Sequence, residues 1–288
     1  MTKPKLKLRP RCKIGAHISA AGNIAFAPDR AKEIGCECFQ FFSRPPQGGK
    51  AKPIDKKTAD DFIAKCKKYQ MESYIHAPYY INLGSANNHI FYGSISVLKE
   101  ELSRGSELCV KYMMTHLGSA RELGDKEGIK KVIKGIGEIL KDYRGSCEFL
   151  IEMAAGAGGI IGDTFEEINS IVNSKELKKY KIGICFDTAH GFASGYDLRD
   201  DKSVKATFEK FDKVLGIERL KLIHANDSKA DLASHKDQHE HIGKGKIGLK
   251  GFEAIVKLAC KQKVNLILET PHDEVFAEDI DILKNLRK

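Results

Sequence analysis

The chain of 288 residues has no tryptophan, only 8 prolines, and 8 cysteines that never fall into a CxxC pair. The cysteines stand at 12, 36, 38, 66, 109, 147, 185 and 260, mostly beside apolar residues. That scatter excludes a zinc ribbon or a paired redox motif and predicts reduced core thiols. No apolar run approaches the roughly 20 residues a membrane helix needs. The opening Met1-Thr2-Lys3-Pro4-Lys5-Leu6-Lys7 has none of the apolar core of a secretory leader. A cytoplasmic (intracellular) protein with no membrane partner is therefore expected. No Pro-, Gly- or Ser-rich linker divides the sequence, which predicts one domain over 1–288 with a basic N-terminal arm over 1–12. Positions 3, 5, 7, 9, 11 and 13 are all Lys or Arg.

What is present is a large apolar fraction, 42%, and an excess of 48 Lys and Arg over 39 Asp and Glu, net +9. The first is enough for a sizeable core. The second suits a polyanion without proving one, since many basic proteins never meet nucleic acid. Eight short strand patterns, at 13–19, 37–43, 72–77, 112–117, 147–153, 181–188, 220–226 and 264–270, alternate with helical periodicity near 22–34, 57–70, 91–109, 126–142, 164–173, 202–214, 250–262 and 275–286. Eight βα units in order predict an α/β fold, a (β/α)8 TIM barrel.

Six apolar runs each end in a strong metal-ligand type: His76, His116, Glu152, Asp187, His224 and Glu269. A lone strand-end His is more often a hydrogen-bonded core residue than a ligand. Six at successive strand ends are harder to dismiss, because a parallel barrel gathers all its strand C-termini at one mouth. His190, three residues past Asp187, can leave the strand end and face across that mouth. Asp237-Gln238-His239 is a DxH pair whose side chains share a face if the segment is extended, although its polar surroundings also fit a solvated loop. Nine candidates exceed one ion's needs and predict a multinuclear site. Their mixture of imidazole and carboxylate suits zinc, or manganese where oxygen dominates. Gly243-Lys244-Gly245-Lys246-Ile247-Gly248 fits GxGxxG but follows a polar loop rather than a strand, so a dinucleotide fold is not expected.

Gly15-Ala16-His17-Ile18-Ser19, Asp187-Thr188-Ala189-His190, His224-Ala225-Asn226-Asp227-Ser228-Lys229, Asp237-Gln238-His239-Glu240-His241-Ile242-Gly243 and Ile267-Leu268-Glu269-Thr270-Pro271 resemble the signatures of the endonuclease IV family, the zinc-dependent apurinic/apyrimidinic endonucleases. The resemblance runs over the chain from about residue 13. It implies three zinc ions, with Mn2+ an option at some sites. His76, His116 and Glu152 would hold the first, and Glu152 would bridge to a second that also takes Asp187, His224 and Glu269. His190, Asp237 and His239 would hold the third. It further implies incision 5′ to abasic sites in duplex DNA, leaving a 3′-hydroxyl and a 5′-deoxyribose phosphate, and repair of 3′-blocking lesions; a monomer is the simple expectation for an enzyme that must clamp a duplex. Glu152 and Glu269 would be its catalytic carboxylates. Ala77-Pro78-Tyr79-Tyr80-Ile81-Asn82-Leu83 matches the loop that enters the minor groove, which gives Tyr79 and Tyr80 a wedge role.

Departures from the pattern concentrate outside the ligands. Gln47 stands where a penetrating Arg is expected, with Arg44 and Lys50 as basic neighbours, and the loop's terminal aromatic is missing. Met153, Leu117, Gln238 and Lys244 also differ from the usual residues. Gln47, Arg44 and Lys229 complete the expected DNA contacts. Two other readings compete: a metal-dependent sugar isomerase or epimerase of similar fold, and a non-catalytic DNA-lesion binder. The third ligand group and the tyrosine loop favour the nuclease over the isomerase. Nine intact ligands disfavour a mere binder.

Overall fold

A computed structural model describes residues 12–271, 273 and 276–288, so the basic arm lies almost wholly outside the described residues. Eight parallel strands close a barrel: β1 (Ile14–His17), β2 (Cys38–Phe41), β3 (Glu72–His76), β4 (Tyr112–Thr115), β5 (Glu148–Glu152), β6 (Gly183–Asp187), β7 (Leu220–His224) and, after two further short strands, β10 (Asn265–Leu268). Pairing of Ile14 with Leu266 and of Ala16 with Leu268 joins the first strand to the last. All eight strands lie inside the segments predicted from alternation.

The helices are α1 (Ala27–Glu33), α2 (Lys56–Tyr69), α3 (Asn88–Glu107), α4 (Asp125–Leu140), α5 (Phe165–Val172), α6 (Thr188–Ala193), α7 (Asp201–Leu215), α8 (Gly248–Gln262) and α9 (Phe276–Leu286). Local chemistry starts several of them. Asp55 accepts from the Thr58 amide at 2.7 Å and Asp200 from the Ser203 amide at 2.8 Å, each satisfying an amide that the first turn leaves unpaired. Helix α6 is not foreseen by the sequence pattern. It is one short turn-and-a-half that begins where β6 ends, capped by Asp187 itself, whose carboxylate accepts from the His190 amide at 2.9 Å. Also unforeseen is a small antiparallel pair, β8 (Asp227–Ser228) with β9 (His239–Glu240).

Strand alternation sorts the core into two layers. Phe39, Ile75, Met113, Ile151, Phe186 and Ile223 point outward and are sealed by the helices. Cys38, Tyr74, Tyr112, Met114, Leu150, Cys185, Leu222 and Ile267 point inward and fill the lumen, all but Tyr112 with no exposed surface. The barrel is packed, and burial of each large side chain contributes about 1.5–3 kcal/mol. Gly15 faces the same interior. A Cβ there would lie 1.7 Å from the Cys38 carbonyl oxygen, so a side chain would force β1 and β2 apart.

One expectation is corrected. The scatter of the eight cysteines predicts reduced thiols, but Cys12 and Cys260 form a disulfide that spans 248 positions. The cause is barrel closure, which brings the lead-in to β1 beside the end of α8. Residues at opposite ends of the sequence become neighbours, and spacing alone could not reveal it.

Candidate metal centre

The inward-facing residue two positions beyond each lumen residue closes the barrel's top layer. Starting from β1, that layer reads His17, Gln40, His76, His116, Glu152, Asp187, His224 and Glu269. Every strand therefore delivers a polar side chain to one ring, because a step of two along a strand returns to the same face. Six of the eight are the strand-end residues predicted from the sequence. His17 enters the sequence reading only within a motif, and Gln40 is missed by it. The signal for Gln40 is a fully buried amide between Phe39 and Phe41, which must find hydrogen-bond partners somewhere.

These side chains fall into three overlapping groups whose ligand atoms all lie within 4.8 Å of one another: His76, His116 and Glu152; Glu152, Asp187, His224 and Glu269; and Asp187, His190 and His239. Asp237 joins the third group, with its Oδ1 3.1 Å from His190 Nε2 and 3.4 Å from His239 Nε2. Asp187 thus stands between the second and third groups, as Glu152 stands between the first and second.

The tautomers follow from the outer partners. His76 Nδ1 lies 2.6 Å from the Ala77 carbonyl, His190 Nδ1 2.9 Å from the Met153 carbonyl, and His239 Nδ1 3.0 Å from the Glu269 carbonyl. A carbonyl can only accept, so each Nδ1 donates and, in the neutral ring, each Nε2 keeps its lone pair. In that neutral form the lone pairs point at other acceptors, so each contact needs a proton or a cation between its atoms. His76 Nε2 meets Glu152 Oε2 at 2.7 Å, and His190 Nε2 meets His239 Nε2 at 3.4 Å. His224 reverses the pattern with the same result. Its Nε2 donates to Gln40 Oε1 at 2.8 Å, which leaves Nδ1 facing Glu152 Oε1 at 3.0 Å and Glu269 Oε2 at 3.1 Å. Gln40 Nε2 donates to Glu269 Oε1 at 2.6 Å and also meets His17 Nδ1 at 3.0 Å, and Asn226 Nδ2 donates to Asp187 Oδ2 at 2.7 Å.

Such a ring, with outer hydrogen bonds fixing most of its imidazoles and acceptor atoms converging inside, has the donor chemistry of a metal centre. Among the described residues His116 Nδ1 has no hydrogen-bond partner, the one imidazole of the set without an outer anchor. The electrostatics also ask for positive charge. Burial opposes ionisation of Glu152, yet His116, His224 and His76 hold it well below the usual carboxylate range. Glu269 is held low in the same way, burial being outweighed by His224 and His17. His190 is pushed up to about 10, as Asp187 and Asp237 overcome its burial.

The expected DNA-facing residues divide. Tyr79 is 64% exposed and Tyr80 39%, both on the loop that leaves β3 at the mouth. The Tyr79 ring packs edge-on against Phe42 at 5.2 Å, an aromatic that the sequence reading passes over. Gln47 and Lys229 are exposed. Arg44 is corrected: only 7% of it is exposed, and its guanidinium is held inside by Glu101 at 2.6 Å and Glu100 at 2.7 Å. Two acids on α3 take it out of the surface, and their 56- and 57-residue separation hides the pairing. The GxGxxG segment is also explained. The backbone amides of Gly243, Gly245, Ile247 and Gly248, with that of Ser228, converge on the buried Asp227 carboxylate at 2.8 to 3.4 Å.

Known proteins resemble this chain in sequence and in fold. Residues 28–286 match the model of the xylose isomerase-like TIM barrel family. The chain is 41% identical over 279 residues to a probable endonuclease 4 of Nitrosopumilus maritimus, covering 96% of this chain and 98% of that one. It is 39% identical over 260 residues to a probable endonuclease 4 of Aquifex aeolicus, covering 90% and 92%. The crystal structure of endonuclease IV from Thermus thermophilus superposes with a TM-score of 0.84 at 28% identity, covering 95% of this chain and 98% of that one. A D-tagatose 3-epimerase-like protein shares the barrel with a TM-score of 0.69 at 20% identity, covering 95% and 96%. Relatives of this identity, matched along nearly their whole length, show that the chain belongs to the endonuclease IV family.

Proposed function

We propose that this protein acts as a monomer on duplex DNA, hydrolysing the phosphodiester 5′ to an abasic deoxyribose to leave a 3′-hydroxyl and a 5′-deoxyribose phosphate, and that it clears 3′-blocking lesions at the same site. Membership of the endonuclease IV family makes it a DNA-repair nuclease. The finer reading rests on one observation above all: imidazole and carboxylate lone pairs face one another in three overlapping groups at the barrel mouth.

Each group has the donors for one cation. His76, His116 and Glu152 form the first shell, Glu152, Asp187, His224 and Glu269 the second, and His190, Asp237 and His239 the third, with Asp187 at its edge. Zinc suits the imidazole-rich groups, and the oxygen-rich second group also accepts manganese. Bound cations would supply charge neutralisation at the scissile phosphate and lower the pKa of water toward about 7. The protein's own part is orientation. Glu152 and Glu269 stay ionised, Gln40 fixes Glu269 against His224, and Asn226 fixes Asp187. Tyr79 and Tyr80 project from the rim, where they would fill the gap left at the lesion, and Gln47 and Lys229 would meet the flanking backbone. The third group also separates this reading from a sugar isomerase, which has no use for a third cation.

The test is a duplex carrying one tetrahydrofuran abasic analogue, incubated with protein before and after prolonged chelation. Incision 5′ to the analogue that chelation removes is expected. Tight binding without incision would favour a lesion binder, and inertness with aldose–ketose turnover an isomerase. Glu269→Gln and His116→Asn are expected to lose incision while keeping the fold.

A further inference from the structure

The third ligand group sits on the least regular part of the mouth. Asp237 lies in a loop and His239 in the two-residue strand β9, and Asp237 has a side chain 58% exposed. Something must hold this segment against the barrel, and the hydrogen bonds lead to α9. Asp279, 1% exposed, lies in the first turn of that helix. Its Oδ2 accepts from His241 Nδ1 at 2.7 Å and from Thr270 Oγ1 at 2.6 Å, and its Oδ1 accepts from the Ile242 amide at 2.9 Å. Thr270 follows Glu269 of the second group, while His241 and Ile242 follow His239 of the third. The far side of the His241 ring meets Asp273 at 3.0 Å, so both its nitrogens are engaged.

We propose that Asp279, through His241, is the positioning residue that sets the third ligand group against the second. One carboxylate ties the segment after His239 to the segment after Glu269, and the direct link between them, His239 Nδ1 to the Glu269 carbonyl, runs beside it. Neither Asp279 nor His241 is placed as a ligand. Their effect is on where His239 and Asp237 stand, and so on how firmly the third group holds its ion. Outer partners of metal ligands commonly change affinity or activity by about 10–100-fold when lost.

The inference rests on the three-cation reading, and its test separates the two. Protein loaded with zinc is challenged with a chromophoric chelator, and the release of each equivalent is timed. Wild type should release three equivalents. In Asp279→Asn and His241→Gln one equivalent should leave about 10–100-fold faster than in wild type while the other two keep their rates. At saturating zinc, kcat should recover with KM unchanged. Thr270→Val removes only one of the three bonds on Asp279 and should shift the same equivalent by a smaller factor, a second reading if Asp279→Asn folds poorly. Variants whose three equivalents all leave at wild-type rates, or all leave faster together, overturn the proposal and give Asp279 a purely structural part. A wild type that incises the abasic duplex but binds only two equivalents overturns it as well. Failure of wild type to incise at all counts against the nuclease reading instead.

Discussion

The two ends of the barrel handle polar groups in opposite ways. At the base, charged groups meet a partner of opposite sign or a complementary donor. Glu72 receives Lys111 at 2.7 Å and Lys13 at 3.5 Å, Lys181 meets Glu148 at 2.8 Å, and Arg287 donates to Glu37 at 2.9 Å and to the Cys12 carbonyl at 2.7 Å. Asn265 donates to the Tyr74 hydroxyl at 2.7 Å and accepts from the Lys13 amide at 2.8 Å. At the mouth, acceptor atoms of neutral imidazoles and carboxylates converge and need a proton or a cation between them. The same fold is thus closed for stability below and left electrostatically unfinished above, where the proposed cations would complete it. The lesson is that crowding of like groups, not burial or exposure alone, marks the working end.

Four experiments would break or sharpen this contrast. Removing metal should have the largest effect, abolishing incision and lowering the melting temperature, because each cation present at about 100 times its Kd stabilises the folded state by about 2.7 kcal/mol. Calorimetry with and without chelator reads it, and unchanged melting would deny that the mouth needs ions. Next is the base. Cys12→Ser opens a crosslink spanning 248 positions, and the chain-entropy account gives a loss on the order of 5 kcal/mol for loops of this length, with incision at room temperature unchanged. Urea midpoints of oxidised and reduced protein measure it.

Smaller again is Tyr74→Phe, which strands the Asn265 amide in the lumen and should cost about 1–3 kcal/mol without altering metal content. A loss of zinc in that variant would show that the two ends communicate. The least effect belongs to Glu37. Burial would raise its pKa, but Arg287 and the Ile14 amide hold it below the ordinary 4.5. A depressed carboxylate stabilises above its unfolded value and loses that contribution as pH falls through the folded one. Glu37→Gln should therefore flatten the acid limb of the stability curve below about pH 4.5 and leave the remainder of that curve's shape nearly untouched. Urea midpoints across the acid range check it, and an acid limb as steep as that of wild type would remove Glu37 from the account.

How much of this is legible in the sequence depends on range. The barrel and six of the residues ringing its mouth are readable because alternation is local: when an apolar run ends in His76 or Glu152, the period of two already assigns that residue to the lumen. Gln40 obeys the same rule but hides inside an apolar run, and only the cost of an unpaired buried amide reveals it. Helix α6 is too short for periodicity to register, and β8 and β9 have two residues each. Arg44 and the disulfide mislead for a different reason. Their partners, Glu100 and Glu101 in one case and Cys260 in the other, become neighbours only after the chain has folded. Asp279 belongs with them, an acid on a helix face until Thr270, His241 and Ile242 are brought around it.

Asp227 has a further consequence. Five backbone amides turned toward one point are what a phosphate-binding loop offers to its guest. Here the guest is part of the host. By filling the concavity with its own carboxylate, the chain engages these amides itself a few residues from the third ligand group, and under the proposed function a phosphate at the mouth would have one destination rather than two. Asp227→Ala would empty that seat, and the segment 243–248 would then compete for the phosphate that the proposed metal centre would bind.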